Sequence, residues 1–172
     1  MLIDVRELTA ESIRSYGWLL CNAFPEDSTI PSFQNAETSF WQEHIFDPGG
    51  GGQTELLSVV YRNTRRTITS LEVHRFTQQA VIPLTGSITQ VVSSSLADGS
   101  PDIGSLLAFR VLVGGGICMR PGCWHATRVD SREAHCLMLT RRSTTADLIA
   151  HLTTGSLLSE TEIVPIHAIL PA

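Results

Sequence analysis

Charge is scarce in this 172-residue chain: Asp, Glu, Lys and Arg make up 17% of it, and the balance is acidic, with a formal net charge of −5. Neutralising a phosphate backbone needs a basic face, so nucleic acid is excluded as an expected partner. The densest basic stretch, Arg62 to Arg66, carries three arginines and reads as a solvated face. No apolar run approaches the ~18 residues of a membrane span. The opening MLIDVRELTAESIRSYG lacks the apolar core of a signal peptide. A cytoplasmic location without a membrane partner is the expectation. Cysteine is sparse as well. Cys21, Cys118, Cys123 and Cys136 form no CxxC pair and no disulfide framework. Cys118 and Cys123 are near enough in sequence for a metal pair, but buried free thiols in and beside a strand are the simpler reading. There is no internal repeat.

What is present is enough apolar material, 42% of residues, to fill a core. The expectation is a single domain over 1–172. Thr9 is placed to cap a short helix over Ala10 to Tyr16, with Glu11 near its positive end and Gly17 as its stop. WLLCNAF then reads as a strand, and 25–40, rich in Pro, Ser, Thr and Asn, reads as loop. Pro48 and four glycines after it make a flexible surface loop. From Glu55 the character changes. ELLSVVYRN, ITSLEVHRF, QAVIPLTG, SITQVVSSS, SLLAFRVLV, GICMRPG, TRVDS and HCLMLTRR are short β-branched segments divided by turn signals such as Thr85-Gly86, Asp98-Gly99 and Pro121-Gly122. This pattern indicates an all-β sandwich or barrel, with its core over about 54–142. The tail, about 143–172, is expected to be helical on the strength of TTADLIAHLTTG, capped by Thr144 or Thr145 and stopped by Gly155, and to pack outside the barrel.

Two segments carry chemistry. In LEVHRFTQQAVIPLTG, Glu72 and His74 lie two positions apart, Gln79 follows five positions after His74, and Gly86 closes the segment. In GGGICMRPGCWHA, Pro121-Gly122 precedes His125. Residues at i and i+2 share one face of a strand, and a closed sheet lets a distant strand add a further group to that face. Two imidazoles, a carboxylate and an amide oxygen suit a divalent ion with open positions: Ni, Zn, Mn or Fe(II). Glu72-x-His74 alone is a common pairing, and a lone His on a strand is usually structural. The joint spacing with Gly86, Pro121-Gly122 and His125 is what makes the site. His44, His135, His151 and His167 show no comparable spacing and are read as structural or exposed, and Trp124 as core or pocket wall.

The two-part spacing resembles the signature of the cupin barrels, which implies an antiparallel β-barrel (a double-stranded β-helix) with short flanking helices at both ends. A full cupin set more often has three histidines and a glutamate. Here Glu72 stands in the first histidine place and Gln79 in the glutamate place, so a metal is expected to bind more weakly, or the pocket to work with none. Within the cupins, SYG at 15–17, TELLSVVYR at 54–62, LEVHRFTQQAVIPLTG at 71–86, PDIGSLLAF at 101–109, GI at 116–117, WHA at 124–126 and LTRR at 139–142 resemble the ureidoglycolate lyase (ureidoglycolate hydrolase) family. The resemblance implies a homodimer that splits ureidoglycolate into glyoxylate and urea in allantoin (purine) breakdown, with nickel the usual metal and Zn or Mn as alternatives. Carried over by position, it marks Glu72, His74 and Gln79, then Trp124 and His125, then Arg62 and Arg141. Arg62 or Arg120 is the expected clamp for the substrate carboxylate. The chain departs from the family at Met119-Arg120, where an aromatic and a histidine are common, at Ala126 and at Thr140. These departures keep two alternatives open: a divergent isomerase or lyase acting on another small carboxylate, and a non-catalytic small-molecule-binding cupin.

Overall fold

The computed structural model describes residues 1–171; Ala172, the last residue of the expected domain, lies outside them. In chain order the elements are β1 (Asp4–Arg6), α1 (Ala10–Ile13), β2 (Gly17–Leu20), β3 (Ser32–Gln34), β4 (Ser39–Trp41), β5 (Thr54–Tyr61), β6 (Thr67–His74), β7 (Gln79–Thr85) and β8 (Ile88–Ser93). They continue with β9 (Leu107–Val111), β10 (Gly116–Met119), β11 (Trp124–Val129), β12 (Ala134–Arg141), α2 (Arg142–Thr154) and β13 (Thr161–Ile169). One sheet has six strands in the order β1-β9-β8-β11-β6-β13, and a second has five in the order β2-β10-β7-β12-β5. Their pairings are antiparallel except for β1, which runs parallel to β9. The architecture is thus rich in antiparallel sheet, arranged as two main sheets, with two helices added.

Alternation along the strands decides what each face does. Ile88 and Val92 of β8 and Phe109 and Val111 of β9 meet Val81, Ile117 and Met138 of the other sheet in one core, so the two sheets face each other. The opposite face of the six-stranded sheet is also covered, by a second cluster that includes Val73, Val91, Ala108 and Trp124 with Ile3, Leu106 and Leu170. Burial on both sides explains why these segments read as nearly continuous apolar runs. Thr9 caps α1 as expected, accepting from the Ser12 backbone N–H at 3.1 Å. Gly17 is required where β2 meets β10, because a Cβ there would sit 2.0 Å from the Cys118 carbonyl oxygen.

Four regions differ from expectation. The first helix, expected over Ala10 to Tyr16, ends at Ile13, and Gly17, expected as its stop, opens β2. Residues 25–40 are not all loop: β3 and β4 form a hairpin whose turn is held by Asn35 Oδ1, which accepts from the backbone N–H of Glu37 and Thr38. Trp124 and His125 belong to β11, which begins earlier than TRVDS suggested. The tail is helical only to Thr154, where Gly155 adopts the left-handed conformation (φ 72) and ends α2. Beyond it, β13 pairs with β6 at the sheet edge, and Pro165 falls where the register shifts. An edge strand with an irregularity is where a sheet tolerates proline. The stretch TEIVPIHAI, expected within a helical tail, is rich in β-branched residues and forms a strand instead.

The link between α2 and β13 rests on Asp147. Its carboxylate accepts from Ser159 N at 3.0 Å, Ser159 Oγ at 2.9 Å and Glu160 N at 3.0 Å. Partial burial works against the charge, but these donors outweigh it and hold the carboxyl below the usual range. Asp147→Ala is expected to cost about 1–2 kcal/mol, a fall in Tm of roughly 5 °C by calorimetry. An unchanged Tm would show that α2 is held without Asp147, by its apolar face and by the bonds of Ser143 and Thr144 to Glu160.

Candidate metal centre

Glu72 and His74 project from β6 to the inner side, and His125 of β11 stands directly opposite Glu72 in the strand register. One potential ligand atom from each of Glu72, His74 and His125 falls within 4.8 Å of the other two. The imidazole rings of His74 and His125 lie 5.2 Å apart, centroid to centroid. Gln79 enters from β7, and its side-chain amide lies 2.9 Å from His74 Nε2. The structure therefore brings together the four residues of the two motifs.

Hydrogen bonds at the back of each ring set what faces the centre. His125 Nδ1 lies 3.0 Å from the Cys123 carbonyl oxygen, which can only accept, so Nδ1 carries the proton. A neutral His125 then presents a bare Nε2 lone pair to the Glu72 carboxylate, 3.2 Å away. The distance is that of an ion pair, but no hydrogen bond is aligned there, and Nε2 is buried without a partner. A lone pair facing a carboxylate is stable only with a cation or a proton between them, which is what a divalent metal supplies. At His74, Nδ1 lies 3.1 Å from Thr161 Oγ1, and Nε2, on the side of the centre, meets the Gln79 amide nitrogen at 2.9 Å. Burial first, and the neighbouring His125 second, push His74 down to about 4, so it is a neutral ligand at pH 7. Burial raises the Glu72 carboxyl, but the His125 contact, and after it the attraction either imidazole exerts when it takes a proton, outweigh burial, and its pKa lies below the ordinary value. Two imidazole nitrogens and a carboxylate within reach of one another fit a divalent ion.

In front of Glu72, His74 and Gln79 lies a cavity of ≈ 220 Å³ whose far wall is α2. The helix contributes Thr144, Thr145, Leu148, Ile149 and Leu152, the stripe that turns of 3.6 residues place on one side. The tail helix thus lies outside the sheets, as expected, but over the mouth of the site. Tyr61 and Thr140 also line the cavity, and the Thr140 hydroxyl is buried with no partner. Burial, with the Glu72 charge adding to it, pushes the Tyr61 phenol up, so it stays protonated. Sequence reasoning passed over Tyr61 and Thr161, marked Thr140 only as a departure from the family pattern, and gave α2 no part in the site. For Tyr61 a signal existed, because Leu57, Val59 and Tyr61 alternate along β5.

The expected substrate-binding residues do not line this cavity. Arg62 is exposed and pairs with Glu133 at 3.0 Å. Arg120 lies over the Trp18 ring at 4.0 Å and donates to the Arg14 carbonyl. Arg141 donates to Ser143 Oγ at 2.7 Å and reaches the Pro48 carbonyl and Glu160, bracing the glycine loop. Trp124 alternates with His125, points to the opposite face and is fully buried in the second core. Of the departures from the family pattern, Met119 is core, Arg120 is at the surface and Ala126 is on the far face. Thr140 alone reaches the cavity. Cys118 and Cys123 are both buried, and burial raises their thiols to about 12, which leaves them protonated rather than metal-binding. A larger cavity of ≈ 500 Å³ lies past the start of β6 among Arg65, Arg66, Arg110 and Arg128. Arg66 and Arg128 are spent on backbone carbonyls and Arg110 on Asp130, so this cavity is read as braced structure.

A family model described as ureidoglycolate lyase matches residues 1–157. The chain belongs to the ureidoglycolate lyase family. No curated protein matches it. Solved structures share parts of the arrangement. A dTDP sugar isomerase from Desulfovibrio desulfuricans G20 is 14% identical, with 79% of this chain and 80% of that one aligned at a TM-score of 0.41. A dTDP-4-dehydrorhamnose 3,5-epimerase from Elizabethkingia anophelis NUHP1 is 15% identical over 64% of each chain at 0.40. Procruciferin, an 11S globulin from Brassica napus, is 10% identical over 65% of this chain and 22% of its own at 0.40. The chain spans less than two thirds of the length of the last two. At these scores the likeness carries no argument about function. Membership of the ureidoglycolate lyase family matches what the two motifs implied, and the match stops before β13, the strand that supplies Thr161 to His74. Among the described residues, no helix is long and apolar enough to cross a membrane.

Proposed function

We propose that this chain is a metal-dependent carbon–nitrogen lyase that splits ureidoglycolate into glyoxylate and urea. The observation that carries the reading is the buried Glu72, His74 and His125 cluster in a chain of the ureidoglycolate lyase family. His74, His125 and Glu72 would hold the ion, with Gln79 as a fourth group and nickel as the metal the resemblance favours. Bound there, a divalent ion supplies Lewis-acid polarisation of the substrate oxygens.

Cleavage needs one net proton movement. The O–H bond of the substrate hydroxyl breaks as the carbonyl forms, the C–N bonding pair leaves with the urea nitrogen, and that nitrogen takes a proton. Glu72 is the group placed to relay it. Its side chain is 35% accessible while His125 is at 3%, and a carboxylate has a second oxygen free to accept and return a proton. Tyr61, kept protonated, and the unpartnered Thr140 hydroxyl are donors that orient the substrate.

The same proposal covers the finer architecture. The two facing sheets belong to one cupin-type barrel in one domain, working as a cytoplasmic homodimer. Light scattering that finds a stable monomer would count against the dimer. The functional test is release of urea and glyoxylate from racemic ureidoglycolate by nickel-loaded protein. Release from one enantiomer only, lost after chelation and restored by nickel, is expected. No release with Ni, Mn or Zn would remove ureidoglycolate as substrate.

A further inference from the structure

The brace that holds the arginine cavity satisfies donors but leaves charge over. Arg128 shares with Trp124 and Ala126 the face of β11 opposite to His125, so the cavity lies on the other side of the sheet from the metal centre. Its walls carry four guanidinium groups, of Arg65, Arg66, Arg110 and Arg128, against one carboxylate, that of Asp130. Arg128 is only 9% exposed, and each of its nitrogens donates to a backbone carbonyl: Nε to Arg65, Nη1 to Thr127 and Nη2 to Thr67. Arg66 gives Nε and Nη2 to the Leu170 carbonyl and keeps Nη1. Carbonyls fix these planar groups in place but bring no countercharge. Among the described residues no carboxylate pairs with Arg65, Arg66 or Arg128. Asp130 is already shared by Arg110, at 3.0 Å, and by the hydroxyls of Ser87 and Thr89. Burial, and after it the like charge of Arg65, work against the charge of Arg128. A buried cation held without a counter-ion is costly, and an anion beside it removes that cost.

We propose that this cavity is a second binding site, which takes a small molecule through a doubly charged oxyanion group. The excess of three positive charges among the lining side chains favours a dianion over chloride. Guanidinium forks match paired oxygens, as a phosphoryl group or two carboxylates present them. The volume of ≈ 500 Å³ admits more than a bare ion, and Val5 and Leu170 give the carbon part of such a molecule an apolar side. Arg65 is the group free to close on it. It is tied through its backbone N–H and carbonyl, and among the described residues its guanidinium has no partner. The site stands apart from the lyase reading and does not rest on it.

The test titrates the full-length protein with inorganic phosphate and with malonate by calorimetry, at an ionic strength held constant with chloride. The same titrations are run on Arg65→Gln and on His125→Ala. Arg65→Gln removes a guanidinium that braces nothing, and circular dichroism confirms that the variant is folded. Saturable binding is expected that Arg65→Gln weakens about tenfold and His125→Ala leaves unchanged. Binding of both anions supports recognition by charge alone, phosphate without malonate names a phosphoryl group, and malonate without phosphate names a dicarboxylate. No saturable binding of either anion by the wild-type protein overturns the proposal. Binding that Arg65→Gln leaves unaltered overturns it too. Binding that His125→Ala abolishes also does so, since the anion would then sit at the metal centre.

Discussion

His125→Ala is expected to lower metal affinity at least about 100-fold and to take urea release with it. Losing an outer partner of a metal ligand costs roughly 10–100-fold, so losing the ligand itself costs no less. The ring is buried, its Nδ1 is committed to the Cys123 carbonyl, and its Nε2 has no other partner, so nothing nearby can take its place. Gln79 cannot take its place, since it enters on the His74 side of the centre, where it already counts as the fourth group. The measurement is a competition titration against a chelator, followed by the activity assay at saturating nickel. Circular dichroism should show the variant folded, because His125 is packed between strands whose other inward residues are unchanged. A folded His125→Ala protein with wild-type nickel affinity would exclude this residue from the centre.

The second large effect is acid lability of metal-free protein. His74 has a pKa of about 4 in the folded chain, pushed down by burial and then by His125. Unfolded, an imidazole titrates near ~6.5. Between those values the unfolded chain binds a proton that the folded chain refuses, so stability is lost as pH falls from the upper value toward the lower. The loss attributable to His74 is about 3 kcal/mol once pH is below both. Glu72 adds to it further down, since its depressed carboxyl contributes stability that disappears as pH falls through the folded value. Urea denaturation of chelator-treated protein at several pH values from neutral to acid reads this directly. His74→Gln should flatten the dependence in the His74 window, and a wild-type protein equally stable across that window would contradict the burial of a neutral imidazole.

Much of this was legible in the sequence, for reasons that show where legibility ends. The strands β5 to β12 carry dense β-branched runs closed by glycine and proline turns, and a local signal suffices to find them. Glu72, His74, Gln79 and His125 were legible because strand geometry puts alternate residues on one face. The arginines were not. Arg62, Arg120 and Arg141 stand in the right places along the chain, but their long side chains turn to Glu133, to Trp18 and to the glycine loop. Such choices depend on partners distant in sequence. Trp124 shows the reverse: the same alternation that turns His125 inward turns its neighbour outward, so the face was available from the pattern. The hairpin of β3 and β4 was hidden by polar composition, and β13 by the helical pattern of α2, which was extended over the whole tail. The cover that α2 gives the cavity depends on Asp147 and Glu160 joining helix to strand, a contact no periodicity reveals.

The account stands or falls on an ion at Glu72, His74 and His125. The direct measurement is diffraction at the nickel absorption edge from crystals of nickel-loaded protein. The account predicts one anomalous peak per chain, within about 2.0–2.2 Å of a nitrogen of His74, a nitrogen of His125 and an oxygen of Glu72. A peak placed on other side chains, or loaded protein with no peak among these three, would contradict it.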